Sequence, residues 1–92
     1  MKLADIRKEY SLKSMEIDEV ELNPLIQFKK WMAEAIKAEA LEPNAMCLST
    51  LGEDGFPNAR IVLLKDLDDG FVFFTNYQSR KGIELENYPK AS

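Results

Sequence analysis

The stretch RIVLLKDLDDGFVFFTNYQSRKG, residues 60–82, decides how this chain is organised. It opens on an apolar run with a cation at each end, Arg60 and Lys65, and then reaches Asp69-Gly70. That pair reads as a hairpin turn, because glycine readily takes the positive φ that tight turns need. The flanking runs, Asn58 to Leu64 and Phe71 to Thr75, read as strands. Just upstream, AMCLSTL from Ala45 to Leu51 has the short, partly alternating pattern of a third strand, with a second turn at Asp54-Gly55 between. The expectation is a meander of three antiparallel strands. Residues 71–75 then form an edge that needs a further strand or leaves backbone groups unpaired. Downstream, Ser79 suits an N-cap, Lys81 to Asn87 a short helix with Ile83 and Leu85 apolar, and Pro89 its stop.

Toward the N-terminus, NPLIQFKKWMAEAIKAEAL predicts the longest helix. Asn23 can cap it, Pro24 suits the first helical position, and Leu25, Phe28, Met32, Ala35 and Ile36 recur at helical spacing. Trp31 and Phe28 read as core packing within that helix, and Glu34, Glu39 and Glu42 as its wet face, with Pro43 ending it. The first twenty residues mix charges with scattered apolar side chains. They predict a short helix around Leu3 to Tyr10 and then an irregular arm. The division is therefore residues 1–22 as an arm and 23–92 as one domain.

Composition narrows the chemistry. The chain has 92 residues, 46% of them hydrophobic and 30% charged, enough for one small core. A bound cofactor or a second copy would add stability that so short a chain struggles to supply alone, so dimerisation is expected. The net charge of −4 and pI near 4.8 argue against a nucleic-acid binder, which needs a basic face. One cysteine, Cys47, and no long apolar run or signal-peptide pattern point to a cytoplasmic protein without a membrane span. Cys47 itself reads as a small buried hydrophobe. With no histidine, most hydrolase mechanisms and most zinc sites fall away. The acids Asp66, Asp68 and Asp69 read as a solvated turn rather than a cation site, so no metal is expected.

The residues left to carry chemistry are basic and hydroxylic. With the usual register around Asp69-Gly70, Arg60 and Lys65 lie near the exit of the last strand, where Thr75, Ser79, Arg80 and Lys81 cluster. Two guanidinium groups, two ammonium groups, hydroxyls and a helix N-terminus suit a phosphate. The plainer alternative is a half-buried strand followed by a solvated Ser-Arg-Lys turn.

RIVLLK followed by FFTNYQSRK closely resembles the flavin-binding signature of the pyridoxamine 5'-phosphate oxidase family. Arg7 and Tyr10 in IRKEY resemble that family's mobile N-terminal element, and NPLIQFKKWMAEA its D-P-x-x-x-F-x-x-W helix, with Asn23 in place of the usual acid. Four ordered blocks cover almost the whole chain. The resemblance implies an FMN-binding split β-barrel of antiparallel Greek-key type with flanking helices, α+β or mainly β in class, here truncated. It implies that Arg60, Ile61, Val62, Leu63, Leu64 and Lys65 line FMN, with Phe74, Thr75, Ser79, Arg80 and Lys81 at its ribityl phosphate end. Phe74 departs from a common Tyr. Lys65 would also approach the substrate phosphate, and Arg7 with Tyr10 would fold over it.

The activity so implied is oxidation of pyridoxamine or pyridoxine 5'-phosphate to pyridoxal 5'-phosphate with oxygen as acceptor, in a homodimer. The family's chain runs well beyond this length and supplies further ligands later, so an incomplete barrel with little activity of its own is expected here. The alternatives are a non-catalytic FMN-binding split-barrel module and a structural domain without a ligand.

Overall fold

In the computed structural model, which describes residues 2–8 and 14–92, the architecture is built on one hairpin. Strand β1 (Ala45–Leu51) pairs antiparallel with β2 (Pro57–Leu63), placing Met46 opposite Val62, Leu48 opposite Arg60 and Thr50 opposite Asn58. Side chains alternate across a strand, so these six share one face. On that face Leu48 and Val62 are buried, and they are the buried apolar side chains among the described residues. The opposite face carries Ile61 and Leu63, both exposed, and Cys47. Cys47 is therefore not the buried hydrophobe expected, because its parity sends it outward.

The turn between these strands follows the sequence reading. Gly55 holds φ at 84°, the left-handed region that glycine enters without steric cost, and its N–H donates to the Gly52 carbonyl over 3.0 Å. Asp54 Oδ1 accepts the Phe56 N–H at 3.0 Å and holds the tip.

The expected three-stranded meander is not what forms. At the end of β2 the backbone changes partners: the Leu64 N–H donates to Asn44 O on the β1 side, and the Lys65 N–H to Val72 O on the other. Two short strands, β3 (Asp66–Leu67) and β4 (Phe71–Val72), then close a second, separate two-stranded sheet. The turn at Asp69-Gly70 is present, yet it pairs Asp66 with Val72 and Leu67 with Phe71, and the chain leaves the sheet before Phe73. Gly70 does not use positive φ; instead Asp68 Oδ1 accepts its N–H at 3.0 Å. Asp66 likewise caps the Leu67 N–H, so these acids act as turn residues. Residues 91–92 meet the free edge of β1, where Ser49 and Ser92 exchange backbone hydrogen bonds of 2.7 and 3.1 Å.

Helix α1 (Pro24–Lys37) starts as predicted, with Asn23 Oδ1 accepting from the Leu25 and Ile26 N–H groups at 2.9 and 3.4 Å. Leu25, Phe28, Met32 and Ala35 form its half-buried stripe, while Ile36 is exposed. Phe28 meets Phe71 edge to face, with centroids 4.9 Å apart. Trp31 stays 47% exposed, against the expectation of core packing, since it lies beside that stripe rather than on it. The helix also stops earlier than Pro43. Glu39 takes φ 58°, and the Ala40 and Glu39 N–H groups return to the Ala35 and Ile36 carbonyls, the pattern of a Schellman cap. Glu39 and Glu42, the latter also at positive φ, are thus loop residues beyond the helix. A side chain in this conformation is strained, so Glu39→Gly is expected to stabilise the chain by about 0.5–1 kcal/mol. A thermal melt checks this, with Tm rising by about 2–8 °C.

Of the helix expected from Leu3 to Tyr10, the described residues form a 3-10 turn at Leu3–Asp5 and no helix over Ile6 to Lys8, and residues 9 and 10 lie outside the described residues. Helix α2 (Arg80–Asn87) packs over the inner face of β1. The radius of gyration is 17.0 Å, against roughly 12 Å for a compact chain of this length. The elements therefore surround little interior, in keeping with a core of two apolar side chains.

Candidate functional site

The inner face of the hairpin is the place where polar side chains sit at core positions. Thr50, Asn58 and Arg60 share the face of Leu48 and Val62, and α2 lowers Glu84 onto them. Glu84 is 4% exposed and accepts a hydrogen bond from Thr50 Oγ1 at 2.7 Å and another from Asn58 Nδ2 at 2.7 Å. Arg60 reaches the same group: its two terminal nitrogens donate to Thr50 Oγ1 (2.7 Å), to the Leu48 carbonyl (3.1 Å) and to Glu84 Oε1 (3.4 Å). From one turn earlier on the helix, Arg80 Nε approaches Glu84 Oε2 at 3.5 Å. A buried carboxylate needs such partners to remain charged.

The hydrogen bond from Thr50, with help from Asn58, Arg80 and Arg60, outweighs desolvation and holds the Glu84 carboxyl below its ordinary value of 4.5. A folded-state value below the unfolded one means stability present above pH 4.5 and lost as pH falls through the lower, folded value. Glu84→Gln is accordingly expected to flatten the acid limb of the stability curve, read as urea midpoints between about pH 6 and pH 3.

The N-terminus of α2 carries the second half of the site. Ser79 Oγ accepts the Gly82 N–H at 3.2 Å, donates to the Asn76 carbonyl at 2.6 Å and lies 3.3 Å from Thr75 Oγ1. With Gly82 satisfied, the first-turn N–H groups of Arg80 and Lys81 face out of the helix end. Gly82 is required here: a Cβ would lie 2.6 Å from the Asn76 carbonyl oxygen, so the loop and helix approach as closely as backbone allows.

Of the residues predicted from sequence, Arg60 and Arg80 converge through Glu84, and Thr75 and Ser79 form a hydroxyl pair beside Arg80 and Lys81. Lys65 does not join them. It lines a groove with Phe28, Met32, Asn44 and Leu67, because the bend at Leu64 carries it away from the inner face. Val62 is buried, Ile61, Leu63 and Phe74 are exposed, and Leu64 is half-buried. Arg7 is exposed, and Tyr10 lies outside the described residues. Glu84, Thr50 and Asn58 were missed. The signal for them was present in polar residues at core parity on two paired strands, together with an Arg80/Glu84 pair at i,i+4.

The side chains fit a phosphate. Arg80 is three-quarters exposed at its side chain and is ion-paired to Glu84 through Nε at 3.5 Å, and its N–H and that of Lys81 open the helix that Ser79, paired with Thr75, caps. Among the described residues no cluster of His, Cys, Asp and Glu could hold a metal ion, and no helix is long and apolar enough to cross a membrane.

Known proteins place this arrangement in a family. The sequence profile of the pyridoxamine 5'-phosphate oxidase family matches residues 32–92. The chain belongs to that family. It is 56% identical over 91 residues to a pyridoxine/pyridoxamine 5'-phosphate oxidase of Nostoc sp., and 57% identical to one of Cyanothece sp.. A Thermosynechococcus vestitus protein of the same name is 51% identical over 92 residues. These matches cover 98–99% of this chain and 42–44% of the relatives, so the chain spans less than half their length. Among solved structures, PhzG from Burkholderia lata 383, in complex with tetrahydrophenazine-1-carboxylic acid, superposes with a TM-score of 0.75 at 36% identity. That match covers 80% of this chain and 37% of PhzG. The α+β fold is thus the split-barrel type of this family, represented by two antiparallel strand pairs and the flanking helices.

Proposed function

We propose that this chain carries the FMN-phosphate half of an oxidase that converts pyridoxamine or pyridoxine 5'-phosphate to pyridoxal 5'-phosphate with oxygen as acceptor. The observation that carries the reading is the meeting of Arg60 and Arg80 on Glu84 of α2, a helix capped by Ser79 paired with Thr75, in a chain 51–57% identical to proteins of that name. Identity to PhzG is lower, at 36%, which favours a B6 phosphate over a phenazine precursor as substrate.

In this reading Arg80, Lys81 and the α2 amides bind the phosphate of FMN, and Thr75 and Ser79 add hydroxyl contacts. The strip from Arg60 to Lys65 lines the flavin. Bound there, FMN would supply the redox chemistry, as acceptor for the two-electron oxidation at the substrate's C4' carbon with oxygen as the final acceptor. The protein's part is to hold both phosphates so that the reacting atoms meet, a task Arg, Lys and hydroxyls can do without histidine. Lys65, in its separate groove, is assigned to the substrate phosphate, and Arg7 with Tyr10 to covering it. Exposed Ile61 and Leu63 on the outer face support a homodimer, and the cytoplasm is its proposed compartment.

Titrating FMN with the purified chain, followed by quenching of flavin fluorescence, tests the reading. Saturable binding, tighter for FMN than for riboflavin, is expected. Binding of neither flavin, or equal binding of both, would leave residues 60–81 without a phosphate site. A non-catalytic FMN-binding module predicts the same binding, and separates from the oxidase by indifference to pyridoxal 5'-phosphate.

A further inference from the structure

Arg60, assigned to the flavin, and Arg80, assigned to its phosphate, are both held by one buried acid, whose two oxygens are taken up by this chain's own groups. We infer that Glu84 is a positioning residue for phosphate recognition: it fixes Arg60 and Arg80 in the arrangement that presents their remaining N–H groups. The inference rests on the FMN-phosphate reading above.

The geometry carries it. Every oxygen of Glu84 is committed to this chain, Oε1 to Thr50 and Arg60 and Oε2 to Asn58 and Arg80. It is 4% exposed, so it is not a surface counter-ion. Arg60 uses three of its five donors on Leu48, Thr50 and Glu84, which orients its guanidinium plane and leaves two. Arg80 meets Glu84 through Nε alone, which leaves its terminal fork available for a bidentate contact. A long arginine side chain loses much rotamer freedom when it grips a ligand; ordering it beforehand removes that cost from binding. The link also ties α2 to the hairpin, since Thr50 and Asn58 lie on β1 and β2.

The sign of the effect discriminates. Glu84 is an anion near a site for an anion, so a purely electrostatic role predicts tighter FMN binding once its charge is removed. Positioning predicts the reverse.

The test compares FMN and riboflavin affinities of the 92-residue chain with those of Glu84→Gln and Glu84→Asp. In the unaltered chain FMN should bind more tightly than riboflavin. In Glu84→Gln the FMN affinity should fall about tenfold while that for riboflavin stays within about twofold, with partial recovery in Glu84→Asp. Thr50→Val, isosteric on its strand, removes the hydroxyl that joins Arg60 to Glu84. It should reproduce the loss, and it carries the test if Glu84→Gln does not fold by circular dichroism. An unaltered chain that binds FMN no better than riboflavin would sink the phosphate reading and this inference together. Normal FMN preference in the unaltered chain with equal or tighter FMN binding in Glu84→Gln would overturn only the inference. So would an equal loss for both flavins, which marks a structural role.

Discussion

Leu48→Ala is expected to remove most of the cooperative unfolding transition of this chain. Leu48 and Val62 are the buried apolar side chains among the described residues, each 8% exposed. Truncating a buried leucine costs about 2–5 kcal/mol, the transfer of the lost methylenes plus the cavity they leave. A small domain holds only about 5–15 kcal/mol in total, and one with so thin a core sits at the low end. A Tm drop of at least about 10 °C is expected, or no transition at all. Ile61→Ala is the matched control: it removes similar apolar bulk from the outer face of the same hairpin, where Ile61 is 66% exposed. At protein concentrations too low for the proposed homodimer, its effect should stay within about 0.5 kcal/mol. Comparable losses from both substitutions would mean that the outer face is covered in solution, as a homodimer would do.

The second large effect is on ligand binding. Arg80→Ala, combined with Lys81→Ala, should weaken FMN binding by about 10–100-fold, because a charge-assisted hydrogen bond contributes about 1.5–3 kcal/mol. The Arg80 side chain is 75% exposed and its bond to Glu84 is long, so the fold should survive with a Tm close to that of the unaltered chain. Riboflavin, which lacks the phosphate, should bind both proteins alike. Affinity for FMN that falls less with added salt in the double variant would confirm that the lost interaction was ionic. If FMN affinity is unchanged, the basic turn is ordinary solvated surface, the plainer alternative that composition left open.

Features set by neighbours in the chain could be read from sequence alone. Asn23 capping α1, Ser79 capping α2, Gly55 at positive φ and the extent of β1 all depend on contacts within a few residues. The four blocks that mark the family are likewise linear patterns, and so is the Ser79-Arg80-Lys81 turn. Even the early stop of α1 at Glu39 is local, yet it was missed, because glycine is the usual signal for that cap and a glutamate stands there.

What only the tertiary structure decided is which distant residues meet. Arg60 and Lys65 look like one basic strip, but five positions apart on a strand places them on opposite faces, and the partner change at Leu64 and Lys65 separates them further. Phe73 to Thr75 carry strand-forming residues, yet among the described residues no strand pairs with them, and β4 ends at Val72. Glu84 lies 24 to 34 residues from Arg60, Asn58 and Thr50 and gathers them only when α2 folds over the hairpin. No periodicity encodes that distance. Local sequence specifies the cations and the helix that suit a phosphate, while the buried acid that aligns them follows from packing across the fold.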